Sequence, residues 1–168
     1  MGHKTKKQDK ILELFYECPR EKFTVRKIAK ETKIPKSTVQ KYLLGLKKND
    51  LITKENQANP SLLFKTKKVN YFIEKIVESG LIEFLNEQLN PSCIIIFGSI
   101  RKGDSIKESD IDIFIESSVK KELELKTYEK ELKHKIELFV YNDINKLQPN
   151  LFNNVINGIK LWGSFSLK

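Results

Sequence analysis

The chain has 168 residues, of which 39% are hydrophobic and 32% are charged, and this composition predicts a folded, soluble protein and excludes a disordered one. No apolar run approaches the roughly 18 residues that a membrane span needs, so we expect a cytoplasmic protein without a membrane partner. The net charge of +9 favours a polyanionic partner for at least part of the chain.

The positive charge is concentrated in the first part of the chain. Residues 1–68 hold 18 Lys and Arg against 7 Asp and Glu, a net charge of +11, whereas residues 69–168 hold 13 against 15, a net charge of −2. This asymmetry predicts a basic module that meets a polyanion, joined to a nearly neutral module with another task. A lysine-rich surface that serves only solubility is the alternative.

Apolar residues recur at helical spacing three times within the basic part. The first predicted helix ends before Pro19, the second begins after Thr24 as its N-cap, and the third begins near Pro35. The apolar faces predicted for the three helices are Ile11, Leu12, Phe15 and Tyr16, then Val25, Ile28 and Ala29, then Val39, Tyr42, Leu43 and Leu46. The last two helices, joined by a tight turn, form a predicted helix-turn-helix.

Two short strands are predicted next, in "LITKE" (51–55) and "SLLFKTKK" (61–68), around the polar turn "NQANP". Three helices followed by a hairpin resemble a winged helix-turn-helix, over residues 5–68. The resemblance implies DNA binding, with the second helix of the pair in the major groove and the hairpin at the phosphates. The residues expected to contact DNA are Lys36, Ser37, Thr38, Gln40 and Lys41 on the helix and Lys54, Lys65 and Lys67 on the hairpin. A winged helix used for protein contacts or dimerisation is the alternative.

Residues 69–89 predict a helix that is interrupted near Ser79 and Gly80. We therefore divide the chain into a winged helix-turn-helix (1–68), a connector helix (69–79) and a second domain (80–168).

The second domain contains an apolar run, "CIIIF" (93–97), that predicts a central strand. The run ends at Gly98 and Ser99, where the absence of a Cβ lets an anion approach the backbone. A helix beginning there would present free N–H groups and the Ser99 hydroxyl to a phosphate. Gly-Ser after a strand is a weak signal alone, because many turns contain it.

A second strand, "SDIDIFIE" (109–116), places two carboxylates on one face. Side chains alternate along a strand, so Asp110 and Asp112 share the face opposite Ile111 and Ile113. Two residues span roughly 6.5–7 Å of strand, close enough for both carboxylates to reach one hard divalent cation, Mg²⁺ or Mn²⁺. The alternative is a half-exposed strand whose polar face meets water.

A third carboxylate, Glu137, interrupts the apolar run "IELFVY" (136–141). A carboxylate there is costly unless a metal or a proton-transfer role compensates it. If this strand neighbours the aspartate strand, Glu137 joins the metal site or serves as a base; the alternative is a glutamate that faces solvent from an edge strand. We expect His134, just before the run, to be a surface residue.

Gly98-Ser99, ten residues and Asp110-x-Asp112 resemble the signature of the nucleotidyltransferase superfamily that includes DNA polymerase β, in its minimal form, over about residues 80–165. The resemblance implies an α+β chain: the winged helix-turn-helix, then a small mixed-sheet α/β domain closed by the helix and final strand in "NNVINGIKLWG" (153–163). It also implies transfer of a nucleotide from an NTP, ATP the first candidate, to a protein or nucleic-acid hydroxyl. The implied site residues are Asp110, Asp112 and Glu137 for metal and catalysis, and Gly98, Ser99, Lys102, Gly103 and Ser109 for the nucleotide.

The sequence departs from this signature in two places. The family often has Arg, Ala, Arg after the Gly-Ser pair, where this chain has Ile100, Arg101 and Lys102, and Glu137 stands where Asp is commoner. Minimal members commonly act as antitoxins that nucleotidylate a HEPN-type toxin, which makes such a toxin a candidate partner and a homodimer a candidate assembly. The alternative function is a DNA-binding transcriptional regulator whose transferase domain senses a nucleotide or is inactive.

Overall fold

A computed structural model of the chain describes residues 2–167, and their side chains from residue 7 onward. Its contacts divide the chain between Lys68 and Val69 into two compact units, which we call the N-terminal unit and the sheet unit. Within the described residues, no helix combines the length and the apolar character that crossing a bilayer requires.

The N-terminal unit begins with three helices, as predicted: α1 (Gly2–Glu17), α2 (Val25–Thr32) and α3 (Lys36–Lys48). Thr24 is the N-cap of α2, because its hydroxyl accepts a hydrogen bond from the Lys27 N–H at 3.1 Å. The side chains that pack between the helices include Ile11, Phe15, Ile28, Val39, Leu43 and Leu46, each at most 3% exposed. The helix-turn-helix pattern in the sequence therefore corresponds to three packed helices.

The predicted two-stranded hairpin is wrong. Only a single bridge pair, Ile52 and Ala58, joins antiparallel segments here, around a turn at residues 53–57. The second predicted strand is instead the start of α4 (Leu62–Glu78), where the Ser61 hydroxyl accepts a hydrogen bond from the Phe64 N–H at 3.2 Å. Lys65 and Lys67 consequently lie on a helix rather than on a wing. Residues 69–78 of the predicted connector (69–79) form the second half of α4.

The sheet unit contains a four-stranded mixed sheet. Its strands are β1 (Cys93–Ile96), β2 (Ile111–Glu116), β3 (Ile136–Tyr141) and β4 (Ile159–Gly163), in the spatial order β3-β2-β1-β4. β1 is antiparallel to both of its neighbours, and β2 is parallel to β3. The predicted mixed sheet, the central position of β1 and the closing helix and strand are confirmed.

Helices connect the strands and cover the sheet. α5 (Leu81–Leu89) follows Gly80, which takes a positive φ of 76°, so the predicted interruption of the helix is confirmed. The remaining helices are α6 (Gly98–Lys102), α7 (Lys126–Leu132) and α8 (Pro149–Ile156). α8 supplies Val155 to an apolar cluster that includes Ile95, Phe97 and Phe114. This cluster lies on the sheet face to which Asp112 belongs, because Phe114 is two residues further along the same strand.

The thiol of Cys93 lies inside this cluster. Its side chain is fully buried, and burial, followed by the nearby Glu116 charge, raises the pKa of the thiol to about 11. Cys18, in the N-terminal unit, is half-buried.

Candidate active site

The chain turns sharply at Gly98, between β1 and α6. Gly98 has a φ of 66°, and a Cβ at this position would lie 1.8 Å from Oδ2 of Asp112. Only a residue without a side chain allows this approach. The Phe97 N–H also donates to the Asp112 carbonyl at 3.1 Å, so the turn is attached to β2 directly beside the carboxylate.

The three predicted carboxylates come together on adjacent strands. Asp112 and Glu137 are direct partners in the parallel pairing of β2 and β3, and Asp110 immediately precedes β2. Neighbouring strands lie about 4.8 Å apart, so paired residues bring their side chains to one place on the sheet face. Asp112 is half-buried, whereas Asp110 and Glu137 are exposed. The predicted neighbourhood of the two strands is confirmed. β3 is also an edge strand of the sheet and Glu137 is exposed on it, as the alternative for Glu137 described.

The electrostatics of the cluster act mainly on Asp112. Burial raises the pKa of its carboxyl above the ordinary value of 3.8, and the charges of Glu137 and Asp110 raise it further, while Lys102 opposes them. Each of these groups is therefore close enough to influence the same carboxylate. Mutual repulsion among the acids is the condition that a bound cation relieves.

This raised pKa predicts an effect on stability. The folded chain holds a proton on Asp112 more tightly than the unfolded chain, so ionised Asp112 destabilises the fold above its native pKa. We expect Asp112→Asn to raise the Tm at pH 7 in the presence of EDTA, with about 2–4 °C for each 1 kcal/mol gained. The gain should shrink as the pH falls through the native pKa towards 3.8, because wild-type Asp112 is then also neutral.

Thermal melts of both proteins between pH 4 and pH 7.5 test this expectation. The matched control is Glu108→Gln, which removes one exposed carboxylate from the loop before Asp110. A lower Tm for Asp112→Asn at pH 7 would contradict the expected cost of ionised Asp112.

The helix after Gly98 presents one face to the core and another to solvent. Ile100 is fully buried, whereas Arg101 and Lys102 are exposed, and Ser99 is half-buried. Ile100, which departs from the family pattern, therefore anchors α6 in the core. Lys102 is the cation of this helix that acts on Asp112.

Hydrogen bonds define the loop between α6 and Asp110. The Ser99 carbonyl accepts from the Asp104 N–H at 3.0 Å, and Gly103 ends α6 with a φ of 70°. The Ser109 hydroxyl accepts from the Ile106 N–H at 2.9 Å. Gly103 and Ser109 thus shape the loop, and their predicted contact with a nucleotide stays a prediction.

His134 is a residue whose role the sequence did not indicate. It is 4% exposed rather than on the surface, which corrects the prediction, and its Nδ1 lies 2.6 Å from the Ser109 carbonyl oxygen. Its ring makes an edge-to-face contact with Phe72, at 5.4 Å between centroids. His134 therefore fastens the loop that precedes Asp110. In the sequence, His134 lies between Lys133 and Lys135, and flanking lysines are typical of an exposed segment, so its burial was not predicted.

The donor set fits a cation that is shared with a substrate. Among the described residues, no group of three or more Asp, Glu, His or Cys side chains is placed to hold a metal ion, so the predicted set of Asp110, Asp112 and Glu137 does not form a metal site by itself. Mg²⁺, however, is usually bound by one or two carboxylates together with substrate phosphates. Asp110 and Asp112 offer two carboxylates of this kind, and the charges of Glu137 and Asp110 contribute to the raised pKa of Asp112.

In the N-terminal unit, the residues predicted to contact DNA on the helix occupy the start of α3. Lys36, Ser37, Gln40 and Lys41 are exposed, and Thr38 is half-buried. Lys54 is exposed in the turn after Ile52, and the Lys47 ammonium donates to the Lys54 carbonyl at 2.9 Å. This hydrogen bond fixes the turn against α3. DNA contact by these residues is a prediction that the fold leaves untested.

Comparison with known proteins concerns the sheet unit. No curated protein and no solved structure matches the chain significantly. The family model described as "Polymerase beta, Nucleotidyltransferase" matches residues 79–165, which is just over half of the chain and includes the whole Gly98–Asp112 motif and Glu137. The sheet, the turn at Gly98 and the paired carboxylates all lie within the matched range, and the chain belongs to the polymerase β nucleotidyltransferase family.

Proposed function

We propose that the sheet unit transfers a nucleotide from an NTP, ATP the first candidate, to a hydroxyl of a protein or nucleic acid, with Mg²⁺ or Mn²⁺ as cofactor. The observation that supports this most is the direct pairing of Asp112 with Glu137, beside a glycine whose backbone adjoins the same carboxylate. A half-exposed strand with a merely solvated polar face requires no such glycine. The family match supports the same class of reaction.

Asp110 and Asp112 are the residues that would hold the cation, together with phosphate oxygens of the NTP. When bound, Mg²⁺ supplies positive charge that stabilises the attacking and leaving oxygens of an in-line displacement at the α-phosphate. Glu137 either completes the ligand set or accepts the proton of the attacking hydroxyl. Its exposure makes it accessible to an acceptor from solvent.

The α6 segment orients the triphosphate. Ser99 offers a hydroxyl donor, and Lys102 places a cation where it already influences Asp112. Gly98 has no Cβ to collide with the Asp112 carboxylate, so the backbone of the turn lies next to that carboxylate. One phosphate group can then contact the backbone of the turn while it shares the cation with Asp112. The bond from the α-phosphorus to the bridging oxygen breaks, and pyrophosphate leaves as the bond to the acceptor oxygen forms.

Calorimetric titration of the full chain with a non-hydrolysable ATP analogue, with and without Mg²⁺, tests this proposal. We expect binding that requires the metal, because the phosphates and the three carboxylates repel each other without it. Absence of binding to the analogues of all four nucleotides would contradict the proposal. It would favour the alternative, a DNA-binding regulator with an inactive transferase domain.

We also propose that the N-terminal unit binds DNA through α3. The observation in favour is that α3 contains no acidic residue among its thirteen, while Lys36, Lys41 and Lys48 are exposed on it. Such a helix fits a polyanion, and helices of this size enter the major groove. Lys54, held to α3 through Lys47, adds a phosphate contact from the turn.

Lys36→Ala combined with Lys41→Ala should weaken DNA binding and reduce the slope of log K against log salt by about 2, because each lost phosphate contact contributes about 0.9. Fluorescence anisotropy with a labelled duplex at several salt concentrations measures both quantities. The charge-matched control is Lys126→Ala with Lys130→Ala, two exposed lysines of α7. An unchanged slope would refute the contact of α3 with phosphates.

The acceptor and assembly are also part of the proposal. A HEPN-type toxin is the protein acceptor that the family resemblance suggests, and a homodimer is the assembly that a helix-turn-helix regulator would use on a symmetric site. Both are compatible with a transferase that regulates its own expression from the cytoplasm.

A further inference from the structure

An apolar side chain lies in the middle of the solvent face of α3. Leu44 is 68% exposed, whereas the other leucines of this helix, Leu43 and Leu46, are at most 3% exposed. Leu44 is therefore not part of the core. It follows Gln40 by four residues and Lys41 by three, so it lies on the same helix face as these two predicted DNA contacts.

Leu44 also forms one wall of a groove. The groove has a volume of about 320 Å³ and is lined by Val25 of α2, by Gln40, Leu43, Leu44 and Lys47 of α3, and by Asn56 of the turn. A small apolar group that enters it would meet Val25, Leu43 and Leu44. The amide of Gln40 lies beside this apolar lining.

The charge around the groove identifies the class of occupant. α3 has no acidic residue, and the exposed cations Lys36, Lys41 and Lys48 flank Leu44 on the same helix. A purely apolar partner would leave these charges unmatched. A nucleic acid supplies both the phosphates that the lysines require and, through its bases, apolar groups for the groove.

We propose that α3 prefers A·T base pairs, with Leu44 as the residue that recognises the thymine methyl group and Gln40 as the residue that recognises adenine. Thymine alone presents a methyl group in the major groove, and Gln can form two hydrogen bonds with adenine. The rise between the two residues is about 6 Å, close to two base-pair steps of about 3.4 Å each. The two side chains therefore address A·T pairs that are two base-pair steps apart.

This inference rests on the proposed DNA binding and adds the base preference to it. It is independent of nucleotidyl transfer, because its site lies wholly in the N-terminal unit. Metal-dependent ATP-analogue binding by the sheet unit is measured separately, so failure of one proposal is distinguishable from failure of the other.

The test measures binding of the full chain to three duplexes of equal length by fluorescence anisotropy: alternating A·T, the same duplex with uracil for thymine, and alternating G·C. Uracil differs from thymine only in lacking the methyl group. We expect wild type to bind A·T most tightly and to lose about threefold to fivefold on uracil substitution, the effect of exposing one methyl group. Leu44→Ala should bind the thymine and uracil duplexes equally.

Two controls complete the experiment. Leu62→Ala replaces another exposed leucine of the N-terminal unit, outside α3, and should keep the thymine preference. Sedimentation of wild type and Leu44→Ala should show the same oligomeric state. Equal binding of thymine and uracil duplexes by wild type, a preference that survives in Leu44→Ala, or an oligomeric state that depends on Leu44 would each overturn the inference. Binding to none of the three duplexes would overturn both the inference and the proposed DNA binding.

Discussion

Replacement of both Asp110 and Asp112 by Asn should abolish Mg²⁺-dependent binding of the ATP analogue and lower nucleotidyl transfer by about 10³-fold or more. Asparagine keeps the size of each side chain but removes the charges that the cation requires. The fold should persist, because Asp110 is exposed and because ionised Asp112 destabilises the fold, so that a neutral residue at position 112 is tolerated. Calorimetry and a transfer assay with labelled NTP give the two measurements, and circular dichroism checks the fold.

The matched control is Glu108→Gln with Glu131→Gln, which removes two exposed carboxylates of the same unit but leaves the paired acids in place. This variant should bind the analogue as wild type does. DNA binding should be unchanged in both variants, since they alter only the sheet unit. Unaltered analogue affinity in the Asp110 and Asp112 double variant would mean that the nucleotide binds elsewhere.

Gly98→Ala should inactivate the transferase although it adds only one methyl group. The new Cβ would stand 1.8 Å from Oδ2 of Asp112, so either the carboxylate or the turn must move. In addition, the positive φ of 66° costs a residue with a Cβ about 1–3 kcal/mol. We expect a transfer rate at least about 10²-fold lower, because a displaced catalytic group costs about that much, and a lower Tm.

Gly80→Ala separates the two causes. Gly80 has a similar positive φ of 76°, but a Cβ there would meet nothing within 4 Å. This variant should lower the Tm through backbone strain alone and should retain transfer activity. If Gly98→Ala and Gly80→Ala had the same activity, contact between Gly98 and Asp112 would be irrelevant to the chemistry.

The carboxylates were predictable from the sequence because strand alternation is a local property. Asp110 and Asp112 alternate with isoleucines, and Glu137 interrupts an apolar run, so each is visible within a few residues. Their register is not local. That Asp112 faces Glu137, and not a neighbour, follows from the parallel pairing of β2 with β3, which residues distant in the sequence determine.

The prediction of a two-stranded hairpin was wrong for a physical reason that can be identified in α4. Phe64, Phe72 and Ile76 form the buried stripe of α4, but the position between the first two, one helical turn after Phe64, is Lys68. Lys68 is fully buried, yet a lysine interrupts any apolar pattern in the sequence. Without that continuity, the first turns of α4 resembled a short strand.

The burial of His134 and of Ile100 could not be predicted from the sequence. His134 lies between two lysines in the sequence, and only the folded loop brings its Nδ1 to the Ser109 carbonyl. Ile100 stands where the family often has arginine, and only the structure shows that this position faces the core. Burial of an individual side chain depends on packing partners that the local pattern does not specify.

The thiol of Cys93 reports on the opening of the sheet unit, because it is fully buried there. Cys93 lies in the central strand with a pKa of about 11, so at neutral pH an alkylating reagent modifies it only in molecules whose sheet has opened. Cys18 is half-buried in the other unit. The alkylation rate of Cys93 in native conditions therefore measures the opening of the sheet unit. A ligand that binds only the closed unit should lower this rate by the factor 1 + L/Kd, where L is the free ligand concentration, so the rate falls exponentially with the stability that the ligand adds.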